Sequence, residues 1–217
     1  MRKIIFGLMI AFISFNLNGQ RLNFSVYADP QFSWFSSDEK EIKPNGSVFH
    51  LNTGLELNYY FQPNYAFFVG LGINNMGGNL VSGDTTYLQS KEETLTVNPD
   101  FNLRHRLQYV NLPFGLKLKT EELGYLTFSF QAGLNPMFNI SAHTTSDNQI
   151  LDRETIRESV NLFNLHYFVG ANAKYRLGGR TSVIGGLRWS SGFTDVTDYD
   201  KANISLNALS VHIGILF

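Results

Sequence analysis

Beyond its first twenty or so residues the chain alternates apolar and polar side chains with a period of two. The alternation runs through eight stretches: 22–34, 48–61, 65–74, 106–119, 125–142, 160–175, 181–193 and 204–217. In the first, Leu22, Phe24, Val26, Ala28, Phe32 and Trp34 share one parity, and Asn23, Ser25, Tyr27, Asp29, Gln31 and Ser33 share the other. In the last, Leu209, Val211, Ile213, Ile215 and Phe217 oppose Ser210, His212 and Gly214. Successive side chains of a strand point to opposite faces, so the pattern predicts eight strands, each with one apolar face. The stretches exceed the roughly 5–6 residues usual in soluble sheets and suit a tilted bilayer crossing, which takes about 9–11.

The connections alternate in length. Residues 62–64, 120–124 and 176–180 are tight turns, while 35–47, 75–105, 143–159 and 194–203 are longer. Short turns at one end, long loops at the other and an even strand number are the organisation of an up-and-down transmembrane barrel. The predicted fold is all-β: an eight-stranded antiparallel barrel with short periplasmic turns, long extracellular loops and both termini at the short-turn end. Within the longest connection, 81–88 is expected to extend its flanking strands as a hairpin beyond the membrane, with a bend at 75–78 near the rim.

The apolar parity is almost purely aliphatic and aromatic, whereas the other carries Asn, Gln, Ser, His, Lys, Arg, Glu and many Gly. Eight strands enclose room only for side chains. The polar parity therefore fits a narrow lumen and the apolar parity fits lipid. A soluble lipocalin-like barrel would need the reverse. Aromatic residues near the stretch ends form two candidate interfacial girdles: Trp34, Phe49, Phe138, Phe163 and Phe193 at one end, Tyr59, Phe61, Tyr65, Tyr175 and Phe217 at the other.

The first nineteen residues differ from the rest. Arg2 and Lys3 precede an apolar run from Ile4 to Phe15, followed by a polar exit with a small residue at Gly19. This is the pattern of a secretory signal peptide over 1–19, with the barrel occupying 20–217. A signal anchor is the alternative, but the run is short of a membrane-spanning length. No later apolar run suits a transmembrane helix.

Composition narrows the chemistry. The chain has no cysteine, so disulfides and thiolate metal sites are excluded. Seventeen basic and eighteen acidic residues nearly cancel, which gives no footprint for nucleic acid. Fourteen of the eighteen acidic residues fall in the long connections, among them Asp38, Glu39, Glu41, Glu92, Glu93, Asp147, Asp195, Asp198 and Asp200. The short-turn end is expected to be basic, through Arg21, Lys117, Lys119, Lys174, Arg176 and Arg180.

Asp29, Glu56 and Arg188 lie on the lumen parity at mid-strand, joined by His166 and His212. Buried charges must be paired, so the first expectation is an interior salt-bridge network that fixes the barrel. A selectivity or gating element is the alternative, and the two histidines are a weak metal signal. His105, His143, Ser146 and Asp147 are the candidates for a catalytic cluster in the loops, but no nucleophile-elbow or zinc motif accompanies them. No cofactor is expected. The terminal run Leu209, Val211, Ile213, Ile215 and Phe217 resembles the C-terminal signal read by the barrel-assembly machinery during insertion.

The fourth stretch reads Gln108-Tyr-Val-Asn-Leu-Pro-Phe-Gly-Leu-Lys-Leu-Lys119. Its Tyr109, Pro113, Lys117 and Lys119 resemble a strand of the PorT-like outer-membrane β-barrel family of Bacteroidota. Gly124-Tyr125, Gly133-Leu134 and the terminal Phe217 continue the likeness over the mature chain. The resemblance implies the barrel fold, an outer-membrane location and contact with outer-membrane lipids and lipopolysaccharide. Through the family's named member it implies a role in type IX protein secretion, with secretion-machine subunits as partners. The reading is thus a non-enzymatic barrel, structural or accessory to secretion or surface assembly. A narrow pore or small-solute transporter, and an outer-leaflet lipid-modifying enzyme, are the alternatives.

Overall fold

The computed structural model describes residues 22–38, 42–82, 86–89, 94–97, 102–146, 154–155, 160–179, 181–196 and 203–217. The predicted signal, Arg21, Arg180 and the acidic residues Glu39, Glu41, Glu92, Glu93, Asp147, Asp198 and Asp200 fall outside them.

The strands in chain order are β1 (Leu22–Ser37), β2 (Ile42–Pro44), β3 (Val48–Gln62), β4 (Tyr65–Ser82), β5 (Thr86–Gln89), β6 (Thr94–Val97), β7 (Asn102–Asn111), β8 (Phe114–Lys119), β9 (Leu126–Ser146), β10 (Glu154–Thr155), β11 (Phe163–Gly178), β12 (Thr181–Gly192) and β13 (Ile204–Leu216). The wall is a closed antiparallel ring. β1 pairs with β3, β3 with β4, and β4 with both β7 and β8. Those two pair with β9, and β9, β11, β12, β13 and β1 follow in turn. Counting β7 and β8 as one position, the ring closes through eight strands. Closure leaves no wall edge unpaired, which backbone in lipid requires. The seam runs to the last residue: Phe217 N–H donates to Phe24 O at 2.8 Å.

The fourth predicted strand is two strands. Pro113 has no N–H to give the ladder, so regular pairing lapses at residues 112–113. Alignment is kept by flanking bonds: Leu112 N–H donates to Pro136 O at 3.0 Å, and Gly70 N–H to Pro113 O at 2.7 Å.

The described strands run further at the long-loop end than the alternation predicts. β4 continues to Ser82, β7 begins at Asn102, and β9 reaches Ser146, so parts of the expected loops 75–105 and 143–159 are barrel wall. The pattern inverts there. On β4 the outward row passes from Val69, Leu71 and Ile73 to Asn75 and Asn79, while Met76 and Leu80 become buried. On β13 it passes from Leu209 to Asn207 and Ser205, with Ile204, Leu206 and Ala208 inside. β9 accommodates the change with a bulge: Ser141 pairs with Gln108 and Asn139 with Tyr109, leaving Ile140 as the extra residue. Below this level lipid is outside and the lumen is polar. Above it water is outside, and the barrel carries an apolar core like a soluble one. The expected hairpin is displaced as well. Residues 81–82 belong to β4, and the hairpin in this connection pairs Thr86–Gln89 with Thr94–Val97.

Members of both expected girdles make ring contacts. Phe32 meets Phe49, Phe138 meets Phe163, and Tyr167 meets Trp189 and Phe193 at one end. Phe61 meets Tyr65 and Phe67, and Tyr125 meets Tyr175, at the other.

Candidate functional site

The polar lumen converges on one ionic cluster. Asp29 on β1, Glu56 on β3, Arg188 on β12 and His212 on β13 all project inward and are buried, Asp29 completely. Arg188 Nη1 donates to Asp29 Oδ2 at 3.3 Å, and its Nη2 lies 3.9 Å from Glu56 Oε2. His212 Nδ1 is 2.8 Å from Asp29 Oδ1. Glu56 takes a second cation, Lys117 of β8, whose Nζ donates to Oε1 at 2.6 Å. Gln131 of β9 ties the cluster together. Its Nε2 donates to both Glu56 oxygens at 3.1 and 3.2 Å, and its Oε1 accepts from Arg188 Nη2 at 3.3 Å and Asn172 Nδ2 at 3.2 Å.

The structure brings Asp29, Glu56, Arg188 and His212 of the expected cluster together. Lys117, counted among the basic residues of the short-turn end, also joins the cluster as a partner of Glu56. A four-carbon stem lets the ammonium reach past the intervening β4 to the carboxylate on β3. His166 faces the lumen and is fully buried, yet neither ring nitrogen has a hydrogen-bond partner among the described residues, and it lies outside the ionic cluster. Among the described residues no group of three His, Cys, Asp or Glu is placed to hold a metal.

Aromatic rings complete the Arg188 site. The guanidinium carbon lies 4.9 Å from the centroid of Phe168 and 5.6 Å from that of Tyr27, and Phe168 in turn packs on Phe68. Such stacking is favourable for a desolvated guanidinium. Tyr27 has room because Gly54 and Gly72 pair across β3 and β4 beneath it. A Cβ on Gly54 would stand 2.5 Å from the Tyr27 hydroxyl oxygen. The signal for this was present in Phe68, Phe168 and Tyr27 on the lumen parity of otherwise small and polar rows.

Two further features close the lumen. Toward the long loops, Phe35, Met76, Leu107, Tyr109, Met137 and Leu206 form a buried apolar layer. His105 sits at this level, its ring 5.9 Å from Phe35 in an edge-on contact, and burial pushes its imidazole down to about 4. Toward the short turns, Lys119 lies 4.5 Å over the ring of Tyr60. A cavity of about 20 Å³ there, bordered by Lys117, Lys119 and Lys174, has room for about one water. Of the family-like strand residues, Tyr109 joins the apolar layer, Pro113 interrupts the strand, Lys117 neutralises Glu56, and Lys119 caps the mouth.

The candidates for loop catalysis are separated. His143 and Ser146 are wall residues of β9, and Asp147 lies outside the described residues. His105 pairs with Thr144 and is buried in the lumen. His143 pairs with Arg106 and occupies the outward row, its Nδ1 3.1 Å from Ser141 Oγ. The two imidazoles therefore lie on opposite faces of the wall.

Residues 12–198 match the family profile described as outer membrane protein beta-barrel domain. Among solved structures, a major outer membrane protein from Thermus thermophilus is similar at 18% identity, covering 90% of this chain and 98% of that one with a TM-score of 0.50. Neisserial surface protein A is similar at 13% identity, covering 88% and 95%, with a TM-score of 0.47. Ail, the attachment invasion locus protein of Yersinia pestis, is similar at 12% identity, covering 91% and 99%, with a TM-score of 0.45. No curated protein sequence matches the chain.

Proposed function

The chain belongs to the outer membrane protein β-barrel domain family, an integral outer-membrane barrel, and from that premise we propose that it is a closed, non-enzymatic platform that supports a protein-secretion or surface-assembly machine. The observation that carries the reading is the filled lumen. An ionic cluster of two carboxylates, Arg188, Lys117 and His212 spans it, with an apolar layer stacked toward the cell exterior. Charges held this way are fixed by mutual neutralisation, and they stiffen the wall instead of lining a path. A rigid plug with long loops at one end suits a scaffold whose contacts lie at its ends.

The likeness to PorT-like barrels of Bacteroidota supplies the direction of the proposal, type IX secretion, through Tyr109, Pro113, Lys117 and Lys119. Export by the signal over 1–19 belongs to the same reading. The test is gentle detergent extraction from native membranes, affinity capture of the tagged mature barrel, and mass spectrometry of what accompanies it. Stoichiometric secretion-machine subunits are expected. Recovery of the barrel with lipopolysaccharide alone would overturn the accessory role.

A further inference from the structure

Just above the lipid-facing belt, the outward face of β7 changes from apolar to basic. From Leu112 the outward row runs through Val110 and Gln108 to Arg106 and Arg104, both exposed. On the neighbouring β9 the same transition runs from Phe138 and Ile140 to Ser141 and His143, which stands opposite Arg106. On β4 it runs from Ile73 to Asn75 and Asn79. Beyond β4, the exposed Lys43 of β2 pairs with Val81 on this face.

Arg104 is held and also available. Arg104 Nε donates to Asn79 Oδ1 at 3.3 Å, leaving its terminal nitrogens without a partner among the described residues, and Gln108 Nε2 donates to Asn75 Oδ1 at 3.0 Å beneath them. None of the ion pairs among the described residues includes Arg104 or Arg106. This contrasts with Lys117, Arg176 and Arg188, each of which has a carboxylate partner. Net charge does not explain the patch, since acidic residues slightly outnumber basic ones in the chain.

We propose that Arg104 and Arg106, with His143 and Lys43 beside them, form a docking surface for the phosphorylated headgroup of an outer-leaflet glycolipid of the lipid A type. The acyl chains would lie on Val110, Phe138 and Ile140 directly below. Height selects the occupant: a ligand must place negative charge within about 10 Å of the apolar belt, the reach of a few strand residues, and present hydrocarbon beneath it. Phosphate suits guanidinium because two N–H groups can meet two oxygens at once.

The test uses the full mature barrel in nanodiscs of phosphatidylcholine doped with either phosphorylated or dephosphorylated lipid A. Native mass spectrometry then counts the lipid that stays bound. The parent is expected to retain the phosphorylated lipid preferentially, and Arg104→Gln/Arg106→Gln to lose about tenfold in retention. The heat-dependent gel mobility of the folded barrel confirms that the variant is closed, and Arg176→Gln at the short-turn end should leave retention unchanged. Equal retention of the two lipids by the parent, or undiminished retention by the folded double variant, would overturn the proposal.

Discussion

Glu56 answers two cations from two strands, Lys117 of β8 and Arg188 of β12. Its removal strands both in a lumen that offers Asp29 as the remaining carboxylate of the cluster. Leaving a buried charge uncompensated costs far more than the pair contributes when whole. Glu56→Gln is therefore expected to destabilise the barrel by about 3–5 kcal/mol, read from urea unfolding in lipid vesicles. Glu56→Gln combined with Lys117→Met should recover part of that loss. A single-variant loss under about 1 kcal/mol would show that the cluster is not fixing the wall. Sequence alone could place Asp29, Glu56 and Arg188 on the inner face, because parity specifies the face. It could not say who meets whom, because partners across a barrel depend on register and stagger, which a period of two leaves open. Lys117 was hidden for this reason, and so was Gln131, one of many lumen amides.

At the scale of strands, alternation identified the wall wherever lipid lies outside. It failed where the environment changes sides. On β4 and β7 the apolar residues move to the inner parity beyond Asn75 and Gln108, and a strand that inverts its pattern reads as a strand that ends. His105 reports on this extension. Its folded pKa of about 4 lies below the ordinary 6.5, so the folded state keeps the ring neutral. Above pH 6.5 the contribution to stability is complete. As pH falls from about 6.5 toward 4 the opened strand takes a proton that the closed one refuses, and stability drops by up to about 3 kcal/mol. Amide hydrogen exchange of residues 103–107, corrected for its intrinsic pH dependence, should accelerate through that window. His105→Phe, which keeps an aromatic ring against Phe35, should remove the acceleration. The same pH response in both proteins would contradict the placement of His105 inside the apolar layer. The split at Pro113 was partly legible, since proline cannot donate to a ladder. That β7 and β8 nonetheless keep the same two neighbours was not, because the bridging bonds come from Gly70 and Leu112.

For the molecule as a whole, strand count, loop alternation and a polar inner parity together specify a narrow closed barrel, and the fold follows them. Whether that barrel conducts depends on what fills it. The ionic cluster holds the middle, the layer around Phe35, Met76 and Tyr109 closes the long-loop end, and Lys119 over Tyr60 narrows the short-turn mouth. The most direct measurement is the electrical conductance of the purified mature barrel in a planar bilayer under molar potassium chloride. No unitary steps above baseline are expected, with insertion confirmed by protease protection in matched vesicles. Reproducible single-molecule steps from the inserted monomer would contradict the account, because ions would then pass through a lumen that these side chains are said to fill.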